Sequence, residues 1–328
     1  MNGNTTTINT NTASTRPERK RREGSLRSFA REILRNKFLY MLALPGIIFL
    51  FIFEYLPLFG LVIAFQDFNA IKGIFGSEFI GLKNFEFFFQ SKDWLWVTWN
   101  TVYLNLLFLS FGTAAAIAIA VMLSEITNKW FKKGAQSIVI LPHFISWTVV
   151  SMFTMTLFQS DGLVNSVLAS FGLSPIAFFS NAAIWPFLLV LLSLWHGAGF
   201  SSIVYLATIA GINPDIYEAA SIDGATRWQK IRFITLPLLK TTMILLILLQ
   251  LGNIFYGNFG MIYAIVGTNP LLYPTTDVID TFVYRALMQL GDMGMASAVG
   301  FYQSFVGFIL VLIANYVTKK VNAESAIF

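Results

Sequence analysis

The chain has 328 residues, 56% of them hydrophobic and 12% charged, with mean hydropathy +0.66 and net charge +5. A soluble domain carries about 25% charged residues, so most of this surface faces something other than water, and the chain is a polytopic helical membrane protein. It has no cysteine and only two histidines, His143 and His196, which excludes a disulfide framework, a thiolate nucleophile and a sulfur or histidine-rich metal site.

Residues 1–24 are rich in Asn, Thr and Ser and then turn basic, RPERKRREG. So little apolar surface predicts a disordered tail. It is no cleavable signal peptide, because both the basic region and the apolar run that follows are too long. Residues 25–328 are expected to form one transmembrane domain. Its apolar runs lie near 38–65, 97–124, 136–158, 184–210, 236–266 and 296–317, long enough to cross a bilayer core of roughly 30 Å. The prediction is an all-α membrane protein with six transmembrane helices. Pro45 and Pro57 interrupt the first run and LGNIFYGNFG the fifth; neighbouring helices or a wet cavity can satisfy such breaks.

Lys and Arg set the orientation. Nine lie between Arg16 and Lys37, three at 125–135, four between Arg227 and Lys240, and two at Lys319 and Lys320. If the N-terminus is cytoplasmic, all of these fall inside, and only Lys72, Lys83, Lys92 and Arg285 fall outside. Both termini and the 211–239 connector are therefore expected in the cytoplasm. The basic tail reads as an anchor on anionic lipid; nucleic acid is not an expected partner, because no binding motif accompanies the charge.

The connector between the fourth and fifth runs is too ordered for a simple turn. Asn213 can cap a helix starting at Pro214, and Asp215 and Glu218 suit its positive end. Ala219 and Ala220 offer a thin surface that fits a groove on another protein. Asp223-Gly224 stops this helix, a second runs from near Ala225 toward Phe233, and Leu236-Pro237 leads into the fifth membrane helix. The expected shape is a helical elbow over 213–233.

The stretch EAASIDGATRWQKIRFITLPLL resembles the EAA loop of permease subunits in binding-protein-dependent ABC importers. Glu218, Ala219, Ala220, Asp223, Gly224, Ala225, Phe233, Leu236 and Pro237 match its pattern position by position. The resemblance implies the type I importer permease fold, with this elbow seated in a cleft of a separate ATPase dimer that binds ATP and Mg. It also implies a second related permease and an extracytoplasmic solute-binding protein, all at a bacterial inner or plasma membrane. PLLYPTTDVIDTFVYRAL and FLYMLALPGIIFLFIFEYLPLFGLVIAFQDFN are similar to the polysaccharide and oligosaccharide branch of carbohydrate importer permeases, over about residues 35–320. Within that branch the likeness points toward alginate importers, so the implied cargo is an oligosaccharide, alginate-derived in that case.

The chain's own chemistry agrees with a transport subunit that is not an enzyme and binds no cofactor itself. No Gly-Lys dipeptide occurs, so there is no GxxxxGK[ST] phosphate loop, and no Ser/His/Asp set stands out. Polar groups inside apolar runs are costly facing lipid and mark a path. On this ground Asn253, Tyr256 and Asn258 are candidate sugar contacts, Asn253 and Tyr256 near one face of the fifth helix, with interhelical hydrogen bonding as the alternative. Trp195 and His196 in the fourth helix are further candidates, with packing as the alternative for Trp195 and an interhelical hydrogen bond as the reading preferred for His196. An anionic uronate cargo would call for positive charge along the path; this chain offers little within the membrane, so a partner would have to supply it. The rival class, a secondary transporter, requires an ion site and usually an inverted repeat. Glu54, the carboxylate inside an apolar run, has no evident relay partner.

Overall fold

The computed structural model describes residues 35–90 and 93–321; the tail at 1–24, expected to be disordered, lies outside them. The described residues up to Phe59 and the described residues from Gly60 onward belong to two compact units. In the first, α1 (Lys37–Leu50) passes into a π-helical turn at Phe51–Tyr55. Its side chains, Phe38, Leu42, Phe49 and Phe53 among them, point outward and are exposed, as a lipid-facing helix requires. Glu54 is exposed in the π turn.

The second unit opens with a short antiparallel pair, β1 (Gln66–Asp67) against β2 (Glu78–Phe79), with Gln66 opposite Phe79. There follow α2 (Lys83–Gln90), α3 (Asp93–Ser124), α4 (Lys129–Ile140), α5 (Trp147–Phe158), α6 (Leu163–Ser170) and α7 (Trp185–Ala210). After them come α8 (Pro214–Ile222), α9 (Arg227–Lys230), α10 (Leu236–Leu251), α11 (Phe259–Val266), α12 (Ile279–Met288) and α13 (Met293–Val321). Helices α3 and α7 pair along their lengths, burying Ala116 and Ala120 against Tyr205 and Leu239. The alanines let the two backbones approach, the usual device where lipid supplies no hydrophobic drive. Two larger cores flank this seam. Trp185, Leu189 and Leu104 pack on Met261, Ile262 and Ile265 of α11. Phe88, Val97, Ile254 and Phe255 pack on Ile279, Met295 and Val299.

Five helical stretches among the described residues are long and apolar enough to span a membrane, six if one bent pair counts as a single span. That pair corrects the third expected helix. The run at 136–158 is not continuous: the chain turns by 94° between Lys129–Phe144 and Trp147–Ser170. Pro142 lacks the amide needed to continue α4, and Ser146 caps α5 by accepting from Val149 N. The fifth expected helix is corrected in the same way. It is two helices, α10 and α11, separated by an irregular turn at 252–258, so Asn253 and Tyr256 share a turn rather than a helical face. The elbow's second helix also differs from expectation. From Arg227 the chain stays helical to Leu251, 25 residues, through a π segment at Ile231–Thr235. Pro237 lies inside this continuous helix, where it supplies no amide to the ladder, and the wider π turn falls immediately before it.

Candidate functional site

Two features stand out in the second unit, the elbow and an open cavity. The elbow begins where Asn213 Oδ1 accepts from the Asp215 amide at 3.1 Å, with Pro214 next to the cap. The first helix ends as Gly224 adopts φ +77° and the Ala225 amide donates back to Ala220 O at 2.9 Å, a glycine C-terminal motif. The second helix starts on a capping box, in which Thr226 Oγ1 accepts from the Gln229 amide and Gln229 Oε1 accepts from the Thr226 amide. Tyr217 OH lies 2.9 Å from Thr235 Oγ1, and Lys230 Nζ donates to Ser221 Oγ at 3.1 Å, so the two limbs are bonded across the corner. Glu218, Ala219, Asp223, Gly224, Phe233, Leu236 and Pro237 are exposed, and Ala220 and Ala225 partly so. Ile222, Trp228 and Phe233 stand out with them at 86, 66 and 67% exposure. A side chain added at Gly224 would meet nothing within 4 Å; the corner is open on its outer face.

The cavity has a volume of about 570 Å³ and is walled by α3, α7, α10 and the 252–258 turn. Asn253, Tyr256 and Asn258 line it together, as do Asn105, Thr113, Ser193, Ser201, Tyr205 and Gln250. The lining offers amides, hydroxyls and phenols but no charged side chain, and Gly112 and Gly197 widen it. Asn258 is partly committed, because its Oδ1 caps α11 by accepting from Met261 N. Tyr256 OH sits 3.2 Å from Ser304 Oγ.

Trp195 and His196 are not at this cavity. Trp195 faces a separate crevice of apolar character, beside Phe153 and Leu157. His196 stacks on Trp147, with ring centroids 4.1 Å apart, and its Nε2 contacts Ile145 O at 2.9 Å. That bond ties α7 to the 94° corner, a structural task.

A broken helix in a membrane must satisfy its freed backbone groups, and here side chains from three other helices do so. Asn105 Nδ2 donates to Ile254 O at 2.9 Å and lies 3.2 Å from Tyr256 O. Gln303 Nε2 donates to Phe255 O at 2.6 Å. Asp280 accepts from the Gly257 amide on one oxygen and from Gln303 Nε2 on the other. Burial raises the Asp280 carboxyl above its ordinary range, although both donors oppose the shift. Nearby, Arg285 pairs with both oxygens of Asp277 and lies over the Tyr273 ring. Sequence reasoning missed Asn105, Gln250, Asp280 and Gln303. Asn105, Gln250 and Gln303 each interrupt an apolar run, the same signal that marked Asn253.

Residues 112–323 match the family described as binding-protein-dependent transport system inner membrane component. The chain is 36% identical over 294 residues to the polygalacturonan/rhamnogalacturonan transport system permease protein YteP of Bacillus subtilis, covering 89% of this chain and 91% of the relative. Its fold is similar, with TM-score 0.82 and 36% identity, to a chain of a bacterial ABC transporter involved in import of the acidic polysaccharide alginate, over 90% of this chain and 99% of that one. A second solved structure, with TM-score 0.80 and 36% identity over 89 and 97% of the two chains, is of a bacterial alginate ABC transporter in complex with an alginate pentasaccharide-bound periplasmic protein. With the helices, the elbow and the cavity in place, the chain belongs to the binding-protein-dependent transport system inner membrane component family, as a membrane-spanning permease.

Proposed function

We propose that this permease passes a uronic-acid oligosaccharide through the 570 Å³ cavity, driven from the 213–233 elbow by a separate ATPase dimer that binds ATP and Mg. A second related permease completes the path, and a solute-binding protein delivers the cargo from outside. Both termini and the elbow lie on the cytoplasmic side. The ATPase-contacting residues are Glu218, Ala219, Ala220, Asp223, Gly224, Ala225, Phe233, Leu236 and Pro237; the cargo contacts are Asn253, Tyr256 and Asn258.

The observation that carries this reading is the helical continuity from Arg227 at the elbow to Leu251, next to the cavity turn. A displacement at the exposed corner has a stiff route to the cargo-facing residues. Polygalacturonan and alginate, the polymers named for the relatives, are both uronic-acid chains. The uncharged lining suits their hydroxyls; counter-charge for the carboxylates then comes from the partner permease.

The test uses the chain copurified with its partner permease and ATPase, in nanodiscs with cargo-loaded binding protein. Gly224→Asp should leave assembly intact and abolish the stimulation of ATP hydrolysis by cargo. Normal coupling in that variant, or failure of the wild type to associate with an ATPase, would move the secondary-transporter reading to the front.

A further inference from the structure

We propose that Asp280 is a positioning residue that seats the cargo-facing turn 252–258 and ties it to the segment 273–288. The inference rests on reading the cavity as the cargo path. Asp280 lies outside that cavity, on α12, and reaches the turn through one backbone amide, Gly257 N. Its other oxygen takes Gln303 Nε2, and the same nitrogen holds Phe255 O. One carboxylate thus organises two consecutive peptide regions of the turn that presents Asn253 and Tyr256.

The fit at Gly257 is independent support. A Cβ there would come within 2.7 Å of Val278 Cγ2 and 2.8 Å of Asp280 Oδ2. The turn is therefore pressed against the start of α12, and only a glycine allows the amide to reach the carboxylate. Asp280 sits three residues beyond Asp277, the ion-pair partner of Arg285. Movement of α12 must drag the Gly257 amide with it or break that bond, so the outer segment and the cavity wall move as one body.

Asparagine at 280 can still accept from Gly257 N through its oxygen, but its NH2 then opposes the Gln303 NH2. Gln303 can flip to accommodate it only by abandoning Phe255 O. Asp280→Asn is accordingly a half-lesion and Asp280→Ala a full one. Gly257→Ala displaces the same turn with the carboxylate intact and should resemble Asp280→Ala.

The natural absence of cysteine gives a direct readout. Ile254, in the turn and 6% exposed, is replaced by cysteine and its maleimide labelling rate is measured in the assembled transporter. Loss of a buried acceptor should speed labelling about tenfold in Asp280→Ala, with a smaller gain in Asp280→Asn. A cysteine at Leu173, exposed and remote from the turn in sequence, should label at an unchanged rate. In parallel, half-saturation for an oligogalacturonate-loaded binding protein should rise several-fold, in the same order of variants. Unchanged labelling at 254 in Asp280→Ala and Gly257→Ala would overturn the positioning role on its geometry. Faster labelling with unchanged half-saturation would overturn it by removing the cargo path on which it rests.

Discussion

Gly199 offers the sharpest test of how the helices meet. It lies in α7 where α4 crosses, and a Cβ placed on it would fall 1.8 Å from Val139 O and 2.5 Å from Val139 C. Ordinary contact begins near 3.4 Å, so Gly199→Ala must force the backbones apart by about 1.6 Å. Both partners are main chain, and no rotamer change can absorb the insult. Overpacking of this kind costs about 1–3 kcal/mol, and the absence of a yielding side chain puts the cost near the upper end. At about 2–4 °C per kcal/mol for a unit of this size, the apparent melting temperature in detergent should fall by roughly 5–10 °C. Gly134→Ala in α4 is the control: its Cβ would meet nothing within 4 Å, and alanine is the better helix former by about 1 kcal/mol. It should be neutral or slightly stabilising. If both variants melt within about 1 °C of wild type, α4 and α7 are not in backbone contact and the close crossing is refuted.

Other expectations follow from the same geometry. Tyr217→Phe removes the bond to Thr235 that joins the elbow's limbs, worth about 0.5–1.5 kcal/mol; cargo-stimulated ATP hydrolysis should drop several-fold with assembly unchanged, and full stimulation would show the limbs act separately. Trp195→Ala should leave transport half-saturation unaltered, because Trp195 faces the apolar crevice, whereas Asn253→Ala should raise it; equal effects in a transport titration would refute the placement of the path. Asp280 holds its proton to higher pH in the fold than in the unfolded chain. The stability linked to that proton is therefore complete below the ordinary 3.8 and lost as pH rises through the raised value. Melting temperature should fall over that acidic window, and the slope should flatten in Asp280→Asn; an unchanged slope would contradict the assignment.

The elbow was legible because its signals are local. Asn213 before Pro214 and Gly224 after Asp223 each act within one turn of backbone, so spacing alone locates them. The break in the third apolar run was not legible, and the interruption seen in the fifth did not show that the helix ends there. Pro142 and Gly252 look alike whether a helix kinks or ends, and the outcome depends on which distant groups receive the freed carbonyls. Asn105 serves Ile254 from 149 residues away, a pairing no local pattern encodes. The cavity divided the candidates on the same ground. Asn253, Tyr256 and Asn258 converge because the turn folds them together, while Trp195 and His196 sit mid-helix on faces that only the packing of α7 against α5 and the 94° corner determines. His143, stacked on Phe200 at 4.0 Å, likewise belongs to that corner.

The uninterrupted stretch from Arg227 to Leu251 has a mechanical consequence. At 1.5 Å per residue it is a rod of about 37 Å, bonded near its base where Tyr217 meets Thr235. Tilting a rod of that length by about 5° swings its far tip by about 3 Å, roughly the width of a water molecule. The π segment at Ile231–Thr235 includes Thr235, so the bond to Tyr217 falls on the wider turn of the rod. Driven from the elbow as proposed, such a tilt would turn a small angular input into a displacement the size of a hydroxyl contact near the cavity. Gain of this kind requires the shaft to stay stiff, so a glycine introduced mid-shaft, Ile244→Gly for instance, would blunt it without touching either end.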